Sequence, residues 1–205
     1  MTPQRRPGVR AGNAQDTLAA LDRVQTGLGA AVLARMPPDA AAELRAASRT
    51  AFLPLAIDRW FVGSIVEELG YPGAVAAIRA TVGVHFESPL LRALVTGAGR
   101  LFGAGPRGLF KLLPRGWGLV YRDVGDVAVL DLAPEGMDMD TRGGWEGVIV
   151  RVDGVDPAFA AELGYRASFE AMLGGILDIR RVPGQVLLDP PGEPPGLQAT
   201  VHWQR

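Results

Sequence analysis

The feature that most constrains this chain is its final strand, in which Leu197, Ala199, Val201 and Trp203 alternate with Gln198, Thr200, His202 and Gln204. This is the period-2 signature of a sheet with one buried face. Such a strand needs neighbours to pair with and a layer to cover its apolar side. The covering layer is predicted just upstream, where Phe159, Leu163, Phe169, Met172, Leu173 and Ile176 make a broad apolar face on one long helix over 156–177. Asp156 is its expected N-cap and Pro157 its first helical residue. Gly164, Gly174 and Gly175 remove bulk from the same helix, so another element must approach it closely. Between helix and last strand, 178–189 reads as a strand interrupted by Pro183-Gly184, and 189–196 as a Pro/Gly-rich loop.

Toward the N-terminus the period is 3.6. Leu18, Leu21, Val24, Leu28 and Val32 recur at helical steps until Met36-Pro37-Pro38, and a short Ala-rich helix over 38–48 opens on Pro38. The strongest helix carries Ile57, Trp60, Phe61, Ser64, Ile65 and Leu69 on one stripe, opposed by Asp58, Arg59, Glu67 and Glu68, and Gly70 ends it. Trp60 and Phe61 are its expected core anchors. Helices are predicted over 72–84, from a Ser88 cap to about 102, and over 106–117. After Gly118 the period changes, and 119–124 and 127–133 flank Gly125-Asp126 as a β-hairpin. Residues 134–147, with Glu135, Asp138, Asp140 and Glu146, read as an acidic loop before a strand at 148–152. The expectation is an α+β fold: N-terminal helices on one side of an antiparallel sheet, with a long C-terminal helix followed by two strands. Residues 1–14 are expected to be disordered and 15–205 to form a single domain.

Composition narrows the function classes. With 48% hydrophobic and 21% charged residues the chain can build a packed core, and a net charge of −1 provides no long-range field for nucleic acid. All but one of the 21 basic residues are Arg, the exception being Lys111, which fits a GC-rich genome rather than phosphate recognition. The absence of cysteine removes disulfide frameworks and thiolate metal sites, and cytoplasm is the default compartment. No signal-like apolar run follows Arg5, Arg6 and Arg10. Stretches such as 27–34 fall short of the roughly 20 residues that span a bilayer, so no transmembrane segment is expected.

The candidate chemistry is sparse. His85 and His202 are distant in sequence and have no paired histidine, which argues against a metal centre. His202 belongs to the polar face of the last strand, and His85 reads as a helix-end residue in preference to an axial haem ligand. Gly103 to Gly108 matches G-x-G-x-x-G, but a helix precedes it where a dinucleotide site requires a strand. Asp138 and Asp140 lack further oxygen ligands at loop spacing. Neither Ser64 nor Ser168 sits in a nucleophile turn, so no catalytic residue is assigned. Arg107, Lys111 and Arg115, four apart, would form one positive helical stripe able to meet an anionic group, an acidic partner or a membrane surface, or to stand as a solvated helix face.

The order of Phe52-Leu53-Pro54-Leu55 before an amphipathic helix, Gly105-Pro106 leading to Leu112-Leu113-Pro114, a hairpin, and a long helix running into strands that end in Val201-His202-Trp203 resembles an uncharacterised paralogous family of myxobacterial proteins. Its plan is similar to the ligand-binding fold of vinyl-reductase-type domains, haem nitric-oxide sensors and Golgi trafficking-particle subunits. The resemblance implies helices over an antiparallel sheet, in places with an apolar cavity between them. The haem sensors' histidine-centred motif has no residue-by-residue match here, and the cysteines common in vinyl-reductase-type domains are absent, so no cofactor is carried over. The expected function is a non-enzymatic small-molecule-binding or sensor module. Its apolar or amphipathic ligand would lie near Trp60, Phe61, His85, Phe159, Phe169 and Met172. The alternative is a structural subunit that dimerises through an apolar helix face or a sheet edge. An enzyme using Asp138, Asp140 or His85 ranks last, because perturbed acids and bases come in clusters.

Overall fold

A computed structural model describes residues 6–87, 105–132, 144–191 and 196–204. The chain begins with β1 (Gly8–Arg10), α1 (Ala11–Val24), α2 (Leu28–Arg35), α3 (Pro38–Ala46), β2 (Phe52–Pro54) and α4 (Leu55–Glu87). It continues through α5 (Pro106–Phe110), α6 (Leu113–Val120), β3 (Tyr121–Arg122), β4 (Asp126–Asp131) and β5 (Trp145–Asp153). It closes with α7 (Pro157–Ala161), α8 (Leu163–Ile179), β6 (Gly184–Leu188) and β7 (Leu197–Gln204). The expected α+β plan is the observed one. A four-stranded sheet of order β4-β5-β7-β6, antiparallel throughout, is covered on its apolar face, and the long C-terminal helix leads into the last two strands. Leu197, Ala199, Val201 and Trp203 are buried, as their alternation requires. Val148, Val150 and Val152 of β5 join them in the core, and Phe110 stacks on Trp203 with ring centroids 5.6 Å apart.

Three local expectations give way to longer-range partners. Residues 8–14, placed in a disordered segment by sequence, form β1 and open α1, because β1 pairs antiparallel with both β2 and β3 and buries Val9 completely. The hairpin expected around Gly125-Asp126 does not form. Residues 119–120 finish α6, Tyr121–Arg122 turn to β1, and β4 takes β5 as its partner from Asp126↔Asp153 to Asp131↔Val148. Arg10 reinforces this choice by donating from Nε to the Leu119 carbonyl at 2.6 Å. The helix expected over 156–177 is broken at Glu162, which is extended (φ −65°, ψ 126°). Asp156 does cap the first piece, accepting from the Ala158 N–H at 2.8 Å. Residues 178–182 belong to the end of α8 and its turn, so Pro183 precedes β6 instead of interrupting it. The helix expected from Ser88 and the acids Glu135, Asp138 and Asp140 lie outside the described residues.

The long helix α4 is two helices joined at Gly70, whose φ of 68° and ψ of 166° fall in a region open essentially to glycine. The stop expected at Gly70 and the restart beside Pro72 are therefore both present. By length and mean hydropathy of 1.2, Leu55–His85 is the one described helix that could cross a membrane, but here it is the central core helix, with Phe61, Ile65 and Ile78 buried.

The pairing of α4 with α8 is the largest in the fold, and the α8 glycines make it possible. A Cβ on Gly164 would stand 2.7 Å from the Val62 backbone carbon and 2.8 Å from Gly63 N, and one on Gly175 would meet the Val82 side chain. Alanine gains about 1 kcal/mol of helix propensity over glycine, whereas overpacking costs about 1–3 kcal/mol when nothing can yield. Backbone cannot yield at Gly164, so the steric term wins. Gly164→Ala is expected to lose about 1–2 kcal/mol in urea unfolding, and a variant as stable as the parent would contradict this close approach.

Candidate functional site

The sharpest local chemistry begins on the first turn of α4. Asp58 falls at helical spacing with Phe61, Val62 and Ile65, so its carboxyl points with them into the interior. It is 3% exposed, and its Oδ2 is buried without a hydrogen-bond partner. Desolvation pushes its pKa from 3.8 up to about 7, against the stabilising hydrogen bonds of the Tyr165 and Tyr121 hydroxyls. Both phenols are held neutral, their pKa values raised by burial and by Asp58. Tyr165 also donates to the Leu55 carbonyl at 3.2 Å. A hydroxyl has one proton, so Tyr165 can give it to the Leu55 carbonyl or to Asp58 but not fully to both.

Asp58 lines a largely apolar cavity of about 170 Å³. Phe61, Val62, Ile65, Ile78 and Val82 from α4 face Phe169 and Met172 from α8, and Trp117 and Tyr121 close another side. Phe159 reaches it from α7, stacked on Tyr165 across the break at Glu162 with centroids 3.6 Å apart. That break is fixed on its outer side by an ion pair between Arg59 and Glu162.

His85 also reaches the cavity wall, from the last turn of α4. Its Nε2 lies 3.0 Å from the Thr17 hydroxyl, which itself donates to the Asn13 carbonyl at 3.0 Å. While Thr17 donates to Asn13, Nε2 of His85 is the donor to the Thr17 oxygen. Burial lowers the His85 pKa, so the imidazole is neutral and does not serve as a cation at the helix end.

Five of the six residues expected around a ligand therefore line one cavity: Phe61, His85, Phe159, Phe169 and Met172. Trp60 does not. It is 51% exposed, because α8 covers the side of α4 that carries Phe61 and Val62 and leaves the neighbouring Trp60 position to solvent. Asp58, assigned by sequence to the polar face, is the residue that reasoning missed, although its three- and four-residue spacing to Phe61 and Val62 carries the signal. Tyr121 was hidden by the hairpin that does not form.

Arg107, Lys111 and Arg115 are carried by two short helices and not by one. The helix stops at Phe110 and restarts at Leu113, with Lys111 and Leu112 between them still in the right-handed helical conformation. Arg107 Nε lies 3.5 Å from Asp131 Oδ1 and 3.9 Å from Glu146 Oε2, paired with the sheet, while Lys111 and Arg115 are exposed. His202 occupies the outer face of β7, as its place in the alternation requires. Among the described residues no group of three or more acids and histidines could hold a metal ion.

No protein-family model and no curated protein matches the chain. A solved structure from a study of the function of haem distortion in the H-NOX family is similar in fold. The match covers 95% of this chain and 94% of that one, at a TM-score of 0.54 and 9% sequence identity. The likeness to the haem nitric-oxide sensor fold is therefore one of architecture.

The raised pKa of Asp58 has a definite sign in stability. The folded state holds the proton more tightly than the unfolded chain, so the contribution is complete below about pH 3.8 and is lost as pH rises to about 7. At about 1.4 kcal/mol per unit the loss is on the order of 4 kcal/mol. In urea unfolding at pH 5 and pH 8, Asp58→Asn is expected to remove most of this decline; an unchanged decline would show that another group carries it.

Proposed function

We propose that this chain is a non-enzymatic binding module of the sensor type, which holds a small, mostly apolar molecule in the cavity between α4 and α8. The observation that carries the reading is the cavity itself: about 170 Å³ of largely apolar space in a core whose neighbours are buried to a few per cent. An apolar cavity of about 150 Å³ takes up benzene, so this one has room for a single ring with a short substituent. An occupant that binds only the folded chain would stabilise it by mass action.

The H-NOX comparison raises haem as a ligand, and the described residues do not fit it. The described cavity has room for one ring and not for a porphyrin, and His85 Nε2, the nitrogen it would otherwise offer to iron, is engaged with the Thr17 hydroxyl. Kinship with the myxobacterial family is part of the same proposal, since it agrees with the shared plan of helices over a sheet.

Toluene tests the reading. Saturating toluene is expected to raise the thermal midpoint of the parent chain, with about 2.7 kcal/mol gained at a hundredfold excess over Kd. Ile78→Trp, which fills the space, is expected to abolish the response. A parent chain whose unfolding is indifferent to toluene would end the proposal.

A second reading, a subunit that dimerises through its sheet, is favoured by one observation. Leu130, Ile149, Thr200 and Leu187 stand in register across the outer face of all four strands, with Leu130 46% and Leu187 53% exposed. Light scattering is expected on this reading to give a dimer that Leu187→Lys converts to monomer. A strict monomer at high concentration would remove it.

A further inference from the structure

The cavity wall carries one acidic group with an oxygen that nothing pairs with, and that group selects among small molecules. Asp58 is a lining residue whose Oδ2 is buried and lacks a hydrogen-bond partner, while its carboxyl otherwise meets the Tyr165 and Tyr121 hydroxyls. No Arg or Lys stands among the described lining residues, and Nε2 of His85 is engaged with Thr17. Among the described residues the wall thus offers an acceptor and no positive charge. It is also rich in aromatic rings, with Phe61, Trp117, Phe159 and Phe169 beside the two tyrosines. A carboxyl group among aromatic rings disfavours an anion and attracts an ammonium, through direct pairing and through the ring quadrupoles.

We infer that the ligand is a small amine, a single apolar ring or body of similar size bearing one ammonium group, which donates to Asp58 Oδ2 while its body fills the space between α4 and α8. The inference rests on the binding function proposed above and adds the chemical class of the ligand. The pairing supplies Oδ2 with the donor it lacks, so a buried unsatisfied atom becomes part of a charge-assisted hydrogen bond. It also explains why a carboxyl stands here at all: an apolar side chain at position 58 would pack against Phe61 and Ile65 at lower cost.

The experiment uses the full chain and three probes of one size: toluene, benzylamine and benzoate. With the parent protein, benzylamine is expected to displace bound toluene and benzoate to leave it in place. With Asp58→Asn, the affinity for benzylamine relative to that for toluene is expected to fall at least tenfold. Toluene binding with no displacement by benzylamine, or displacement by benzoate as effective as by benzylamine, overturns the amine assignment and leaves the cavity reading standing. An undiminished relative affinity of Asp58→Asn for benzylamine does the same. If neither toluene nor benzylamine binds the parent chain, the cavity reading falls and the amine assignment falls with it. The displacement measurement needs no variant, so the assignment is decided even where Asp58→Asn does not fold.

Discussion

The close crossing of α4 and α8 is the contact from which the rest of the molecule is arranged. Gly164 lies directly on the Val62–Gly63 backbone and Gly175 on Val82, so the two helices touch near both ends of α8. Between those touching points the side chains are long: Ile65 and Ile78 on one helix, Phe169 and Met172 on the other. Helices pinned by glycine at the ends and spaced by large side chains in the middle need not close on one another along their length. The cavity sits in that middle region, and its existence follows from where the glycines are placed.

The second constraint is the kink at Gly70. A straight helix from Leu55 to Glu87 would carry the chain about 1.5 Å per residue in one direction and could not place both Asp58 and His85 in the wall of one small space. The break lets the two halves line different sides of it. The salt bridge of Arg79 with Asp178 and the hydrogen bond from Tyr71 to Glu170 at 2.8 Å then hold the second half of α4 along α8.

Most of the layered plan was legible because it rests on periodicity. The alternation of 197–204 specified a half-buried strand, the apolar stripe with its glycines specified a covering helix with a close neighbour, and Gly70 specified a stop. What failed were the segments whose partners are far away in sequence. Tyr121–Arg122 alternates like a hairpin strand, but its partner is β1, more than a hundred residues earlier. The single helix expected over 106–117 is two, because Leu113-Pro114 begins a new one. Trp60 and Asp58 were misplaced together. Reading the helix as apolar against charged put the tryptophan inside and the acid outside, whereas the covering surface of α8 lies over positions 58, 61, 62 and 65.

The comparison at 9% identity shows how little of such a site a fold determines. What two chains can share at that distance is the order of helices over a sheet, because that order depends on apolar periodicity, which many sequences satisfy. A cavity wall is different, since each position contributes one side chain and a single change alters what fits. Here the wall combines an imidazole engaged with Thr17 through its Nε2 and a carboxyl at Asp58 whose Oδ2 has no partner. On the binding function proposed above, what fits is decided by such side chains of this chain's own wall and not by the scaffold it shares.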